Sequence, residues 1–153
     1  MNLTEIQHNL MGDWDGANLL QSPNLADSLS TSHLCVKPVV KRKFLIFTYT
    51  WSHDGSPQEG FILLGYNKEQ GIATAAWADS WHMSAMILPC QGAIDQHGVI
   101  TLNGSYKAPT GRYRDWRITI RTDSVRELHI TIRNLTPEGA EELAVRANYR
   151  RVS

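Results

Sequence analysis

The feature that most constrains the fold is a succession of short segments in which apolar and polar residues alternate. Such alternation is typical of half-buried β-strands, because successive strand side chains point to opposite faces of the sheet. Turn-forming stretches such as HDGSP (53–57) and TPEG (136–139) separate the segments. The pattern predicts ten strands, at residues 13–21, 31–39, 43–52, 58–66, 71–78, 81–94, 98–106, 112–122, 125–134 and 141–151.

Short connections between these strands predict an antiparallel sheet in which each strand pairs with its neighbour along the chain. A flat sheet would leave unpaired backbone groups at both edges, whereas closure into an up-and-down barrel removes both edges. A two-sheet sandwich fits the strand spacing equally well. One short helix is predicted within LTEIQHNLMG (3–12), where Thr4 and Gln7 match a capping box.

The two ends of the chain favour the barrel over the sandwich. GDWDG (12–16) places Trp14 at the start of the first strand, and NYRR (148–151) places Tyr149 and Arg151 on one face of the last strand. If these strands pair antiparallel, Trp14 meets Tyr149 and Arg151. A guanidinium stacked on an indole contributes about 0.5–2 kcal/mol. We therefore predict an all-β, up-and-down barrel of about ten strands, and we expect these three residues to close one end of it.

Length, charge and cysteine usage limit the class of protein. The length of 153 residues predicts a single domain over residues 1–153. Fifteen Lys and Arg balance fifteen Asp and Glu, so the net charge is zero and neither nucleic acid nor a membrane is an expected partner. Cys35 and Cys90 lie in no metal-binding spacing, and no secretory signal is recognisable. We therefore expect a cytoplasmic protein with two free thiols.

A set of short motifs is shared with a known group of barrels. In its order and spacing the set resembles the lipocalin and fatty-acid-binding superfamily. It is more closely similar to a bacterial lipocalin-like family described as domain of unknown function 1579. The resemblance implies a lipocalin-like barrel from a bacterium and no established activity, and PEGAEE (137–142) departs from the usual family turn. The motifs are GDWDG (12–16), GYN (65–67), WADS (77–80), GAID (92–95), YRDW (113–116) and YRR (149–151).

Cofactor and metal binding are not expected. The haem-binding nitrobindin group also opens with Gly-x-Trp-x-Gly, and its members resemble barrels that hold haem through a histidine near the final strand. The last predicted strand here (141–151) has no histidine, and His129 lies one strand earlier on the face predicted to be solvent-exposed. The six histidines show no H-x-H or H-E-x-x-H spacing. We therefore predict no cofactor and no metal.

Strand direction and side-chain parity predict where a ligand would bind. Trp14 begins the first strand, and the longest loops lie at the opposite end of the barrel, which predicts a mouth there. Inward positions near that mouth are aromatic or basic, whereas those near Trp14 are aliphatic. Asp79 and Ser80 are predicted to form a tight hairpin turn, Trp81 to open the sixth strand, and Pro89 and Gly92 to form a bulge. The predicted ligand-binding residues are Tyr49, Trp51, Trp77, Tyr106, Arg112, Arg114 and Trp116.

Aromatic walls and arginines at the rim favour non-covalent binding of a small, partly apolar, anionic ligand, such as an amphipathic or aromatic acid. A guanidinium donates charge-assisted hydrogen bonds to carboxylate or phosphate. The alternative is a barrel filled by its own tryptophans, with arginines paired to Asp115 or Glu141. A filled barrel could bind a protein partner or a second copy, so monomer and homodimer both stay open. An enzyme using acid–base residues at the mouth is a further alternative, but no catalytic residue is assigned because no nucleophile motif is recognisable.

Overall fold

The structure, a computed structural model, describes residues 3–23, 25–83, 85–107 and 113–153. One helix precedes ten strands. In chain order the elements are α1 (Leu3–Leu10), β1 (Gly12–Ser22), β2 (Leu25–Val39), β3 (Phe44–His53), β4 (Ser56–Asn67), β5 (Ile72–Asp79), β6 (Leu88–Ile94), β7 (Ile100–Lys107), β8 (Tyr113–Ser124), β9 (Glu127–Leu135) and β10 (Glu141–Arg151). Among the described residues, no helix has both the length and the apolar character needed to cross a bilayer.

The strands form one closed antiparallel barrel, as predicted, and not a sandwich. Each strand pairs with its neighbour along the chain, and β1 pairs with β10 to close the sheet. In that seam Trp14 lies opposite Arg151 and Gly16 lies opposite Tyr149. Closure gives every strand two neighbours in the sheet order, which removes the two long edges of a flat ten-stranded sheet. β2 pairs with β3 only from Leu34 to Val39, so residues 25–33 have no ladder partner on that side among the described residues.

The second strand begins at Leu25 rather than at residue 31, so a segment predicted to be a long loop at the mouth belongs to the sheet.

The sixth strand also differs from its predicted bounds. It begins at Leu88 rather than at residue 81, and residues 80–87 form a loop in which Ser84 lies outside the described residues. The reason is local: the Asp79 carboxylate accepts hydrogen bonds from the backbone N–H groups of Trp81 and His82, which therefore do not enter the ladder. Asp79 and Ser80 accordingly do not form a tight hairpin turn.

No bulge interrupts β6 at Pro89 or Gly92, contrary to prediction. Trp77 pairs with Leu88 and Ala73 with Gly92 in unbroken register. Gly92 serves a different purpose, because a Cβ atom there would lie 1.8 Å from the Thr101 carbonyl oxygen. A glycine therefore permits the close approach of β7. In the part of the chain that the structure describes, three register shifts lie elsewhere: in β1 (Leu20/Ser22), β8 (Thr122/Ser124) and β10 (Leu143/Val145).

The end of the barrel near Trp14 is covered by α1. Ile6 and Leu10 of this helix are buried, and the Trp14 indole Nε1 donates to the Leu10 carbonyl oxygen at 3.0 Å. The Arg151 guanidinium carbon lies 4.2 Å from the centroid of the Trp14 ring. Its nitrogens also donate to backbone carbonyls of the helix end and the β8–β9 turn. Tyr149 contacts β2 instead, through a 2.8 Å hydrogen bond between its hydroxyl and Ser32 Oγ.

Candidate functional site

Five ring side chains meet at the barrel end opposite Trp14, and we call them the aromatic cluster. Its members are Trp51, Trp77, Trp81, His82 and Trp116. The His82 ring lies at the centre, with its centroid 5.0–5.8 Å from those of the four indoles. It stacks on Trp51 at an interplanar angle of 27°. The 80–87 loop supplies two of the five rings, so it covers this end of the barrel.

The structure brings several of the sequence-predicted residues together. Trp77 and Trp116 lie edge to face at 5.2 Å, and the Trp77 Nε1 donates to the Tyr49 hydroxyl at 2.9 Å. Trp51 joins the same cluster through His82 and Trp81. Arg112 and the side chains of Tyr106 and Arg114 lie outside the described residues.

Asp79, at the end of β5, holds this arrangement in place. Its side chain is 6% exposed and accepts four hydrogen bonds. One carboxylate oxygen accepts from the Tyr49 hydroxyl at 2.6 Å and from the Trp51 Nε1 at 3.2 Å. The other accepts from the backbone N–H groups of Trp81 at 2.8 Å and His82 at 3.2 Å. The carboxylate therefore ties the barrel wall to the start of the loop.

These hydrogen bonds make Asp79 unsuited to act as a general base. Each carboxylate oxygen already accepts from two donors, which occupies its lone pairs. Burial and the neighbouring carboxylate raise the pKa of Tyr49 well above its ordinary value, so its hydroxyl keeps its proton and remains a donor. The pair is an anchor for the loop rather than a proton-transfer couple.

Burial among the tryptophans lowers the pKa of His82 below its ordinary value of 6.5, and Asp79 partly opposes this effect. His82 is therefore neutral at neutral pH. A histidine whose folded pKa is depressed contributes stability that is complete above the unfolded pKa and is lost as pH falls below it.

The free energy of unfolding is accordingly expected to fall as pH decreases below 6.5, with a slope of up to about 1.4 kcal/mol per pH unit from this residue. Urea titrations between neutral pH and mild acid measure this slope. His33 contributes a pH dependence of the opposite sign to the free energy of unfolding, because hydrogen bonding to Asp15 raises the pKa of His33. The informative quantity is therefore the difference from His82→Phe, which keeps the ring and removes the proton site. Equal slopes for the two proteins would contradict the assignment.

Inside the barrel, the Trp77 side chain is completely enclosed by its neighbours. Its side chain is 0% exposed, so no space as large as a water molecule adjoins it. Trp116 is 5% exposed, and its indole Nε1 is buried without a hydrogen-bond partner among the described residues. An unpaired buried N–H costs about 1–3 kcal/mol. The Trp116 indole N–H is therefore a hydrogen-bond donor that has no acceptor among the described residues.

An open cavity of about 510 Å³ lies on the outer wall of the barrel next to the loop. Its wall includes the outward-facing Thr48, Thr50 and Phe61 and the loop residues Met86 and Ile87. Gly60 leaves room there for Tyr49, because a Cβ atom on Gly60 would lie 2.4 Å from the tyrosine hydroxyl. This volume lies within the usual range for small-molecule sites.

Sequence reasoning missed Asp79 and His82 as members of the site. A signal was present in WADSWH (77–82), since an aspartate at a strand end often accepts hydrogen bonds from the backbone two or three residues later. That signal predicts a local turn. It does not predict that the turn folds inward over the barrel.

Solved structures of other proteins share the fold of this barrel. The chain has the fold of Rv2717c from M. tuberculosis, with a TM-score of 0.70, 19% identity, and coverage of 100% of this chain and 99% of that one. It is also similar to the S-type phycobiliprotein lyase CPES from Guillardia theta, with a TM-score of 0.68, 11% identity and coverage of 100% and 94%. Identities this low show the fold alone. No curated protein matches the chain.

A match over almost the whole chain identifies the protein family. A family model described as "Protein of unknown function (DUF1579)" matches residues 5–151. The matched segment runs from within α1 to the last residue of β10, so it includes the closing pair of Trp14 and Arg151 and the whole aromatic cluster. The chain therefore belongs to the DUF1579 family of lipocalin-like proteins of unknown function.

Proposed function

We propose that the chain is a single-domain binding protein whose ligand, a small and partly apolar molecule, inserts into the aromatic cluster when the 80–87 loop moves aside. The observation that carries this proposal is the buried Trp116 Nε1 with no partner among the described residues. A ligand oxygen that accepts this N–H recovers the cost of about 1–3 kcal/mol. The surrounding indoles supply the apolar walls.

The loop is suited to such a movement. Its start is held to the barrel by Asp79, by Ser80, whose Oγ donates to Gln58 at 2.7 Å, and by the packing of Trp81, His82 and the buried Met83. Ile87, near its other end, is 64% exposed. Met86 is 51% exposed as well, so the end of the loop next to β6 has few buried contacts, which is a property of segments that open more readily than buried ones. The S-type phycobiliprotein lyase shares only the fold, so the proposal rests on the residues of this chain.

Decanoate and benzoate are suitable probes, because each joins an apolar part to a carboxylate. Both are expected to quench tryptophan fluorescence of the wild-type protein. Trp116→Phe is expected to weaken binding about tenfold, since it removes a hydrogen bond worth roughly 1.4 kcal/mol and keeps an aromatic ring. Isothermal titration calorimetry compares the variants without relying on the deleted fluorophore.

Two further variants test where the ligand binds and whether its negative charge contributes to binding. Phe61→Ala alters the outer cavity and not the cluster, so it is the matched control. If Phe61→Ala weakens binding and Trp116→Phe does not, the ligand occupies the outer wall and the proposal is wrong. Arg114→Ala is expected to weaken binding of decanoate but not of decanol, because only the acid carries an anion for the guanidinium.

A further inference from the structure

A second group of polar side chains lies on the outer wall at the hairpin formed by β8 and β9. Asp123 of β8 and Glu127 and His129 of β9 each offer one ligand atom, and these atoms all lie within 4.8 Å of one another. His129 Nε2 lies 3.0 Å from Asp123 Oδ2 and 4.0 Å from Glu127 Oε2. The register shift between Thr122 and Ser124 falls at Asp123. Such shifts redirect side chains.

The hydrogen bonding of His129 determines which ring nitrogen has a free lone pair. Its Nδ1 lies 2.6 Å from Asn148 Oδ1, a carbonyl oxygen that can only accept, so Nδ1 carries the hydrogen. Nε2 is then the ring nitrogen available to a ligand, and it faces Asp123 and Glu127. This nitrogen is buried and has no hydrogen-bond partner among the described residues. Two carboxylate oxygens that face one imidazole nitrogen are stabilised by a cation between them, which is either a proton on Nε2 or a metal ion.

The other oxygen of each carboxylate is engaged elsewhere. Arg121 Nε lies 3.6 Å from Asp123 Oδ1, and Arg150 lies 3.6 Å from Glu127 Oε1. The remaining carboxylate oxygens, Asp123 Oδ2 and Glu127 Oε2, face His129. Asn148 orients the imidazole, and the two arginines lie beside the outer carboxylate oxygens at distances longer than a hydrogen bond. Outer partners of this kind accompany metal-ligating side chains in proteins.

We propose that Asp123, Glu127 and His129 bind a divalent transition-metal ion of the Zn²⁺ class. One imidazole nitrogen and two carboxylate oxygens are ligands typical of zinc. Bonds of about 2.0–2.2 Å in tetrahedral geometry separate neighbouring ligand atoms by roughly 3.4 Å. The separations of 3.0 and 4.0 Å from His129 Nε2 fall on either side of this value, and the two carboxylate oxygens lie within 4.8 Å of each other. The carboxylate side chains are 40–50% exposed, which leaves the fourth position to solvent.

His33 provides a matched contrast on the same outer wall. It also contacts two carboxylates, but Asp15 meets its Nδ1 at 2.6 Å and Asp13 meets its Nε2 at 3.4 Å. Carboxylates on opposite sides of the ring stabilise a protonated imidazole, and hydrogen bonding to Asp15 raises the pKa of His33. They do not converge on one lone pair. The two cysteines are poor competitors, because burial raises the pKa of Cys35 and raises that of Cys90 to about 11.

The test is calorimetric titration of the metal-free full-length protein with Zn²⁺, together with Co²⁺ as a spectroscopic probe. One ion is expected per chain, with the visible absorption of four-coordinate Co²⁺ and no thiolate charge-transfer band. His129→Gln and Asp123→Asn are each expected to weaken affinity about 100-fold or more, and Asn148→Ala about tenfold. His33→Gln is expected to bind as tightly as the wild type. Thermal unfolding verifies that each variant is folded.

Several outcomes would overturn the proposal. Absence of Zn²⁺ binding by the wild-type protein means that these three residues do not form a metal site. Equal affinity in wild type and His129→Gln means that the ion binds elsewhere, and equal loss in His33→Gln means adventitious binding to surface histidines. A thiolate charge-transfer band means that a cysteine, and not His129, binds the ion. None of these outcomes bears on the aromatic cluster, so this inference and the proposed ligand site stand or fall separately.

Discussion

Replacing Asp79 with asparagine is expected to lower the free energy of unfolding by about 3 kcal/mol. The asparagine oxygen can replace only one of the two carboxylate oxygens. Its amide nitrogen would face either Tyr49 and Trp51 or the backbone N–H groups of the loop, leaving two buried donors unpaired. Hydrogen bonds to a charged group are worth about 1.5–3 kcal/mol each, so losing two of them is costly. Urea unfolding followed by circular dichroism measures the change.

Asp95→Asn is the matched control for this prediction. Asp95 Oδ1 also accepts two backbone N–H groups, from His97 at 2.8 Å and Val99 at 3.0 Å, but in an exposed turn. Water can replace those contacts, and we expect a loss of no more than about 1 kcal/mol. If both variants lose the same stability, burial of the Asp79 carboxylate does not anchor the loop. Loop release in Asp79→Asn should also change the emission of the neighbouring tryptophans.

Replacing Gly16 with alanine is expected to cost about 3 kcal/mol or more, because it forces apart the seam that closes the barrel. A Cβ atom on Gly16 would lie 1.8 Å from the Asn148 carbonyl oxygen and 2.8 Å from its carbon. Both are backbone atoms of β10, so no side-chain rotation relieves the clash. The strands must separate, and the hydrogen bonds between β1 and β10 lengthen with them. Guanidinium unfolding measures the loss.

Gly71→Ala separates steric clash from backbone strain. Gly71 has φ of +68°, and a Cβ atom added there would meet nothing within 4 Å, so alanine costs only the left-handed conformation. That cost is about 1–2 kcal/mol. If Gly16→Ala is no more destabilising than Gly71→Ala, then β1 and β10 can separate locally without affecting the rest of the barrel. A larger loss for Gly16→Ala indicates that closure contributes to the stability of the whole sheet.

Local patterns in the sequence were sufficient to predict most of the strands and many of the inward-facing side chains, although β2 begins at Leu25 rather than at residue 31. Alternation in LIFTYTW (45–51) predicts that Leu45 and Phe47 face the interior, and both are 0% exposed. The closure of the sheet was also predictable, because the first and last strands carry residues that suit pairing. These features depend on the two-residue period of a strand and on its neighbours along the chain, which the linear sequence contains.

The sixth strand shows where local patterns were insufficient. Residues 81–87 contain apolar side chains on both parities, so alternation could not separate a strand from a loop. The choice depends on a competition between ladder hydrogen bonds and those offered by Asp79. That competition favours the loop only because the barrel wall supplies Tyr49 and Trp51, which hold the carboxylate in position.

The sequence by itself therefore determined the strand class, the inward faces and the end of the barrel where aromatic residues gather. Tertiary structure alone decided how those rings pack, so that Trp77 is fully enclosed and the Trp116 indole is left without a partner among the described residues. It also brought Asp123, Glu127 and His129 together across a hairpin. Strand periodicity is a property of neighbouring residues, whereas enclosure and ligand convergence depend on atoms that meet only when the sheet closes.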